Sequence, residues 1–228
     1  MKISVLGTGI VGQTIAAKLS QLGHQVFMGT RNPLQTIQNK EPNRMTGVIF
    51  NDWYQINSEI ELLPFGEVAK NTDLVVNASS GKTTISTLEM VGEENLAGKI
   101  LIDIANPLDF SNGFPSINPV NNDSLGEQIQ RRFPNIKVVK SLSTMNAHVM
   151  VNPDSVNGDH NVFISGNDKE AKVVVGNLLK SIGWKHNSII DLGDITSARG
   201  VEMLLPLWIR LYTKLGHPNF NFHIQKGE

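Results

Sequence analysis

The sequence predicts an α/β fold of the Rossmann type, with a doubly wound, mostly parallel sheet and a C-terminal helix. Apolar strand patterns alternate with helical patterns along the 228 residues, which is the order that a parallel sheet with helical crossovers requires. The first strand also leads directly into a turn with the glycine spacing GxGxxG. No linker or internal repeat interrupts this pattern, so we expect residues 1–228 to form one domain.

The N-terminal βαβ unit has glycine at each position where a dinucleotide-binding turn needs it. Residues 2–6 are apolar and predict a buried strand, and a helical pattern follows as far as Leu22. Gly7 permits the tight turn, Gly9 lets backbone approach a pyrophosphate, and Gly12 lets the helix pack on the sheet. The free N–H groups and the dipole at the start of the helix favour the negative charge of a phosphate. We therefore predict a dinucleotide site, rather than an unliganded glycine turn, formed by Gly7, Thr8, Gly9, Ile10, Val11 and Gly12.

The end of the second strand indicates which dinucleotide binds. The apolar residues 26–28 lead into Gly29-Thr30-Arg31-Asn32, and no Asp or Glu occurs within residues 23–40. An NAD site usually has an acid here for the ribose 2′-hydroxyl, whereas an arginine suits a 2′-phosphate. We predict NADP(H) rather than NAD(H), with contacts from Thr30, Arg31 and Asn32. The alternative is that Arg31 is a solvated loop charge.

Composition limits the function classes. The 20 basic and 21 acidic residues give a net charge of −1, so nothing electrostatic favours nucleic acid or an anionic membrane. The absence of cysteine excludes disulfides, thiolate catalysis and cysteine-ligated metals. No apolar run reaches the length of a membrane span, and the N-terminus enters a strand without a signal-peptide pattern. We expect a cytoplasmic protein that binds neither nucleic acid nor membrane.

The remaining elements follow from hydrophobic periodicity. Further strands are predicted over residues 74–77, 100–104, 136–139, 162–165 and 188–191, and one is considered over 56–63. Further helices are predicted over residues 33–39, 83–91, 125–133, 169–182 and 195–212. Residues 108–123 are rich in Asn, Pro, Ser and Gly and predict a long surface loop, either a lid or a plain excursion. Asp103 and Asp109 are interpreted as structural.

The last predicted helix, residues 195–212, is apolar on nearly every side. Such a helix must be buried on more than one face, so we expect it to pack on its own domain and on a second subunit, giving a homodimer. Pro206 should kink it, and Arg199 and Glu202 could pair with each other. The aromatic tail over residues 217–223 could dock on a neighbouring subunit or over the active site.

Nothing in the sequence predicts a metal. Six histidines are scattered along the chain, and no pair has the spacing of a zinc site. We interpret all of them as structural or surface residues: His24, His148, His160, His186, His217 and His223.

Several segments together resemble the NADP oxidoreductases that depend on the deazaflavin coenzyme F420. They are GTGIVGQTIAAKLSQLGHQVFMGTRNP (residues 7–33), residues 101–106, 139–147, 162–168 and 191–199, then Glu202 and Pro206-Leu207. The chain is also similar to the cytoplasmic oxidoreductase domain of the six-transmembrane metalloreductases. The resemblance covers nearly the whole chain. Residues 41–62 and 108–122 match poorly and could hold the specificity for the acceptor.

The resemblance implies an oxidoreductase that transfers hydride between NADP(H) and a deazaflavin or flavin acceptor, with the deazaflavin coenzyme, FMN or FAD as co-substrate. It adds cofactor contacts after two further strands, at Ala78, Ser79, Ser80, Asn106 and Pro107. It places the acceptor ring against Thr144, Met145 and Asn146, with the C-terminal helix closing the pocket at Pro206 and Leu207. No catalytic acid or base is expected, because hydride transfer depends mainly on alignment and exclusion of water.

Two other functions stay open at this point. A reductase of a small imine or carbonyl substrate would need a proton donor near Thr144, and the sequence offers no clear one. A non-catalytic module could instead sense NADP(H) and signal through a partner. The segment around Met145 could also be a strand-end turn with a buried methionine, since methionine is a common core filler.

Overall fold

The predicted fold class is confirmed by the computed structural model, which describes residues 1–43, 46–109, 111 and 113–227. Its strands are β1 (Lys2–Leu6), β2 (Gln25–Thr30), β3 (Glu61–Pro64), β4 (Leu74–Asn77), β5 (Ile100–Asp103), β6 (Leu108–Asp109), β7 (Ser116–Ile117), β8 (Lys137–Ser141), β9 (Val162–Ser165) and β10 (Ile189–Asp191). Its helices are α1 (Ile10–Gln21), α2 (Pro33–Gln38), α3 (Phe50–Ile56), α4 (Phe65–Val68), α5 (Thr84–Val91), α6 (Glu93–Leu96), α7 (Leu125–Arg132), α8 (Ala147–Val151), α9 (Lys169–Ile182) and α10 (Ala198–Leu215).

The main sheet has eight strands in the order β10-β9-β8-β5-β4-β1-β2-β3. Neighbouring strands are parallel except β8 and β9, which are antiparallel. The chain winds outward in both directions from β1, so the strand order reverses between β1 and β4. In open sheets of this kind, ligands bind beside the carboxyl ends of the strands at such a reversal.

Two hydrophobic clusters cover the two faces of the sheet. Along β1, Ile3 and Val5 belong to one cluster and Leu6 to the other, because alternate side chains of a strand point to opposite faces. Helices α1, α8 and α9 pack on the first face, and α4, α5 and α7 pack on the second. The single domain over residues 1–228 stays a prediction.

The sequence-based boundaries fail mainly between residues 41 and 63. Residues 56–63 do not form one strand, because Ile56 ends α3 and β3 begins only at Glu61. The aromatic residues of α3 favour a helix: Phe50, Trp53 and Tyr54 have the spacing of one helical face, and the Phe50 ring contacts the other two rings. Residues 44 and 45 of this segment lie outside the described residues.

The predicted loop over residues 108–123 contains regular structure. Strands β6 and β7 pair antiparallel in a short ribbon, with Leu108 opposite Ile117. Residues 110 and 112 lie outside the described part of the chain. Phe114 of this segment lies beneath Arg210 of α10, with 3.5 Å between the guanidinium carbon and the ring centroid. The ribbon is therefore tied to the C-terminal helix.

The predicted pair between Arg199 and Glu202 is wrong. Arg199 Nε donates to Glu127 Oε2 at 2.8 Å, and a carboxylate oxygen of Glu202 lies 2.9 Å from Lys140 Nζ. Helix α10 packs against α7 and β7, and its Glu202 reaches Lys140 of β8, so both charges meet partners distant in sequence. Pro206 lies inside α10 and does not end it.

The aromatic tail packs on its own chain. The backbone N–H of Asn161 donates to Phe222 O at 2.8 Å, and the Phe220 ring stacks on Trp208 with 5.3 Å between centroids. His160 is buried beneath it, with Nε2 3.0 Å from Pro153 O. This histidine is structural, as expected.

No helix within the described residues is long and apolar enough to cross a membrane.

Candidate functional site

A cleft of about 440 Å³ opens at the carboxyl ends of β1, β2 and β4. Its walls bring together many of the predicted cofactor residues, namely Gly7, Thr8, Gly9, Thr30, Arg31, Asn32, Ala78, Ser79 and Ser80. The strands meet because Ala78 N donates to Leu6 O at 3.0 Å, which fixes the end of β4 beside the glycine turn. We call this space the nucleotide cleft.

The three glycines of the turn are needed for different reasons. Gly7 has a φ of 111°, which favours glycine, and a Cβ there would lie 2.8 Å from Ala78 O. A Cβ on Gly12 would lie 2.1 Å from Gly7 O. A Cβ on Gly9 would meet no protein atom within 4 Å. The protein's own packing therefore explains Gly7 and Gly12, whereas the space at Gly9 fits a pyrophosphate approaching the start of α1.

Arg31 is the only charged residue in the wall of the nucleotide cleft formed by described residues. Its exposed guanidinium makes no hydrogen bond or ion pair within the described chain, so its donors are free for a phosphate. Asn32 has a local role as well, because its Oδ1 accepts from Gln35 N at 3.1 Å and caps α2. The residues present fit a 2′-phosphorylated dinucleotide.

The sequence analysis missed the contribution of α2 to this wall. Gln35, Thr36 and Asn39 line the cleft, and Thr36 Oγ1 hydrogen-bonds Thr30 Oγ1 at 2.8 Å. Gln35 and Asn39 are four residues apart and therefore share one helical face. This spacing, directly after Arg31, is the feature of the sequence that could have identified α2 as part of the wall.

A second cleft of about 350 Å³ adjoins the first and shares Ala78, Ser79 and Ser80 with it. It lies at the ends of β4, β5 and β8 and is covered by α10. Its other wall residues are mostly apolar: Val11, Gly81, Lys82, Ile104, Ala105, Asn106, Leu108, Ser143, Met145, Met150, Leu205 and Trp208. We call this space the second cleft.

The predicted acceptor residues are only partly in this wall. Met145 lines the second cleft, whereas Thr144 is buried outside its lining. Asn146 caps α8, accepting from His148 N at 2.7 Å, and its Nδ2 donates to Pro218 O of the tail.

Some residues predicted on α10 and after β5 are likewise absent from the wall of the second cleft. Helix α10 presents Leu205 and Trp208 to the second cleft, whereas Pro206 and Leu207 are absent from its wall. Pro107 lines neither cleft, and its carbonyl accepts from Asn118 N at 3.1 Å in the ribbon. No described residue of the segment 41–62 lines either cleft.

A buried charge network lies behind the second cleft. Lys140 Nζ is 2.8 Å from Asp103 Oδ2 and 2.9 Å from Glu202 Oε1, and these side chains are between 0 and 1% exposed. Lys140 also donates to Ala105 O. Glu202 accepts from the backbone N–H groups of Leu125 and Gly126 at 2.9 and 3.1 Å. The network therefore joins α10 to β5, β8 and the start of α7.

The carboxylates keep Lys140 charged. Burial by itself lowers the pKa of Lys140, but the charges of Asp103 and Glu202 and their hydrogen bonds outweigh it, and the pKa lies above its usual range.

At the rim of the second cleft, hydrogen bonds from Lys82 and Ser111 lower the pKa of Asp109 to about 2. Lys82 Nζ lies 2.9 Å from Asp109 Oδ1, so the Asp109 carboxylate holds the Lys82 side chain at this rim.

Comparison with known proteins identifies the family. Residues 2–107 match the sequence profile of the family "NADP oxidoreductase coenzyme F420-dependent". A crystal structure from Arthrobacter sp. FB24, provisionally described as an F420-dependent NADP reductase, is 56% identical over 99% of this chain and 100% of that one, with a TM-score of 0.93.

The chain belongs to this family.

Two further similarities place this F420-dependent NADP oxidoreductase family member among more distant proteins. Rat metalloreductase STEAP3 is 28% identical over 91% of this chain, which spans 38% of that protein. The NADP-bound pyrroline carboxylate reductase of Plasmodium falciparum is 15% identical with a TM-score of 0.56, covering 94% of this chain and 67% of that one. The latter likeness shows the fold alone. The family and the Arthrobacter structure support an NADP-dependent oxidoreductase.

Proposed function

We propose that this protein transfers hydride between NADP(H) in the nucleotide cleft and a deazaflavin or flavin ring in the second cleft. The observation that carries the proposal is the shared wall at Ala78, Ser79 and Ser80. A dinucleotide with its adenosine end at Arg31 and its pyrophosphate at Gly9 extends past this wall, so its nicotinamide end reaches the second cleft.

When bound, reduced NADP supplies a hydride with both electrons of its C4–H bond and leaves as oxidised NADP. The chain's own residues align the partners and exclude water. Met145, Met150 and Leu205 form an apolar wall, and Trp208 of α10 adds an indole suited to a planar ring. Trp208 is itself held by stacking on Tyr212, at 5.6 Å between centroids, and on Phe220.

The second cleft contains little that could donate a proton. Lys82 is the only ionisable residue in the wall formed by described residues, and Asp109 holds its ammonium at 2.9 Å. Transfer of hydride between two ring systems makes no demand for a side-chain proton donor, whereas reduction of an imine or carbonyl does. The cleft therefore favours the ring acceptor.

A panel of acceptors tests the proposal. We expect rapid loss of NADPH absorbance with the deazaflavin coenzyme, FMN or FAD, and slow loss with a pyrroline carboxylate. Trp208→Ala should raise the KM for the ring acceptor several-fold and leave the Kd of NADPH unchanged, because it removes one stacking surface. Trp53→Ala on α3, which lies outside both clefts, is the matched control. Turnover of the imine alone, or NADPH binding without turnover on any acceptor, contradicts the proposal.

The same proposal includes a homodimer formed through α10. Met203, Leu207 and Leu215 are each at least 39% exposed in the single chain, and an apolar helix face of this size is typical of an interface. Leu207→Glu should shift the mass measured by light scattering from dimer to monomer. Ile56→Glu, at an 83% exposed apolar position on α3, should leave the mass unchanged. A monomeric wild-type protein contradicts this part of the proposal.

A cytoplasmic location belongs to the proposal too, since the reaction draws on NADPH and its acceptor.

The ribbon β6–β7 supports a role for residues 108–122 at the acceptor end, because Leu108 lines the second cleft.

A further inference from the structure

A third cleft lies along α9 at the edge of the main sheet. Its volume of about 540 Å³ falls within the range of roughly 300–1,000 Å³ that is usual for small-molecule sites. Strand β10, which forms part of the wall, is the last strand on its side of the sheet. No described residue of this wall lines the nucleotide cleft or the second cleft. We call this space the edge cleft.

One face of α9 forms most of the wall of the edge cleft. Its residues recur every three or four positions along the helix, and they are Lys169, Lys172, Val173, Gly176, Asn177 and Lys180. The sheet adds Ile164 of β9 and Ile189 of β10. Val173 is 61% exposed, so the edge cleft has an apolar surface that solvent reaches. A ligand with an apolar body gains free energy by covering it.

Gly176 keeps the middle of the edge cleft open. Glycine weakens the interior of a helix, because it loses more conformational freedom on folding than other residues do. Gly176 lies inside α9, and a Cβ there would meet no atom within 4 Å, so the packing of the described chain does not require glycine. The missing side chain leaves room for a ligand against the helix.

The edge cleft has unpartnered polar side chains beside the last turn of α9. Helix α9 crosses between the parallel strands β9 and β10, so its last turn lies beside the start of β10. Lys180 and His186 line the cleft there, and neither side chain makes a hydrogen bond or ion pair within the described residues. The carbonyl oxygens of Leu179 and Lys180 already accept from Gly183 N. An anion at this end therefore meets donors and no unpaired helix carbonyl from these two residues.

The only acid in the described wall of the edge cleft is paired. Asp191 lies at the other end of β10, and its Oδ1 is 2.8 Å from Lys172 Nζ. Lys172 also donates to Gly193 O at 2.8 Å. Lys169 and Lys180 have no such counter-charge among the described residues. The unpaired charge of the wall is therefore positive.

We propose that the edge cleft binds a small organic carboxylate with an apolar body. The apolar body lies over Gly176, between Val173 and Ile189, and the carboxylate accepts hydrogen bonds from Lys180 and His186. Two donors on neighbouring elements match the two oxygens of one carboxylate. This binding does not depend on the proposed hydride transfer, because the edge cleft shares no described residue with the other two clefts.

Three probes separate the two parts of such a ligand. Octanoate has the chain and the charge, octanamide has the chain alone, and acetate has the charge alone. Titration calorimetry on the full-length protein measures the dissociation constants, and the amide NMR signals of Gly176 and Ile189 locate the bound probe. We expect octanoate to bind about fivefold more tightly than octanamide, the effect of a partly exposed ion pair. It should bind at least about 100-fold more tightly than acetate, which lacks most of the chain.

Variants of α9 test the placement. Gly176→Leu should weaken octanoate binding at least about tenfold, because its side chain takes the place of the apolar body. Its thermal midpoint should not fall, since leucine favours a helix. The matched control is Gly200→Leu in α10, where a Cβ also meets no atom within 4 Å and the residue lines none of the three clefts. This control should leave octanoate binding unchanged.

Charge variants test which end of the edge cleft holds the carboxylate. Lys180→Ala should weaken octanoate about fivefold and leave octanamide unchanged, whereas Lys169→Ala should change neither by more than about twofold. The inference is overturned if the wild type does not bind octanoate, or binds it no more tightly than octanamide. Unchanged octanoate binding in Gly176→Leu, or NMR shifts that spare Gly176 and Ile189, also overturns it. A lower mass of Gly176→Leu in light scattering would show that a second copy of the chain covers this cleft instead.

Discussion

Arg31→Ala is expected to weaken NADPH binding about 10- to 100-fold and NADH binding by less than about threefold. NADPH carries a 2′-phosphate that NADH lacks, and Arg31 is the only charged residue in the described wall of the nucleotide cleft. Its guanidinium makes no hydrogen bond or ion pair within the described chain, so the substitution leaves the protein's own polar interactions intact. The two dissociation constants are measured by fluorescence titration.

Two further variants sharpen this prediction. Arg31→Lys keeps the charge but loses the planar fork of donors, so its affinity for NADPH should be intermediate. Arg132→Ala removes an exposed arginine of α7 that pairs with Glu89 at 2.9 Å and lines neither cleft, and should change neither affinity. Equal losses of NADPH and NADH in Arg31→Ala contradict the assignment of the 2′-phosphate to this residue.

Lys140→Met is expected to lower the free energy of unfolding by about 3–5 kcal/mol. The methionine preserves most of the length and burial of the side chain, but it leaves Asp103 and Glu202 as two buried negative charges with no cation between them. The pKa of Lys140 is raised in the folded state. The stabilisation is therefore fully present below the ordinary lysine pKa and is lost only as pH rises through the raised value. Urea unfolding near neutral pH measures the effect.

Lys137 provides a matched control on the same strand. Its Nζ lies 3.1 Å from Asp168, and the two side chains are 38% and 30% exposed. Lys137→Met should therefore cost less than about 1 kcal/mol. The triple variant Lys140→Met, Asp103→Asn, Glu202→Gln should recover part of the stability lost in Lys140→Met, since it removes all three buried charges. If Lys140→Met is as mild as Lys137→Met, the network does not stabilise the fold as described.

The elements that the sequence predicts well are those whose cause is local. The bounds of α9 follow from a helical apolar pattern with Asp168 before it and Gly183 after it, and both residues cap the helix in the structure. The strand, glycine turn and helix at the N-terminus follow from steric demands within a few residues of chain. The position of Arg31 after β2 is equally local, because it depends only on where that strand ends.

The second cleft is less predictable because its wall depends on how distant elements pack. The resemblance points to Pro206 and Leu207, whereas the structure turns Leu205 and Trp208 toward the second cleft. One or two residues of helix correspond to a rotation of roughly 100° to 200°. The rotation of α10 cannot be predicted from the local sequence, since the contacts of this helix with α7 and β7 set it.

The sequence by itself determined the α/β fold and the βαβ unit with its glycine turn, because periodicity and glycine spacing act over short stretches of chain. Only the tertiary structure decided the partners of the buried charges. Lys140 meets Asp103 and Glu202 across 37 and 62 residues of sequence, and Asn106 meets Ser143 across 37. A buried charge or amide must find its partner wherever the packed chain brings one, and that choice is made by the fold as a whole.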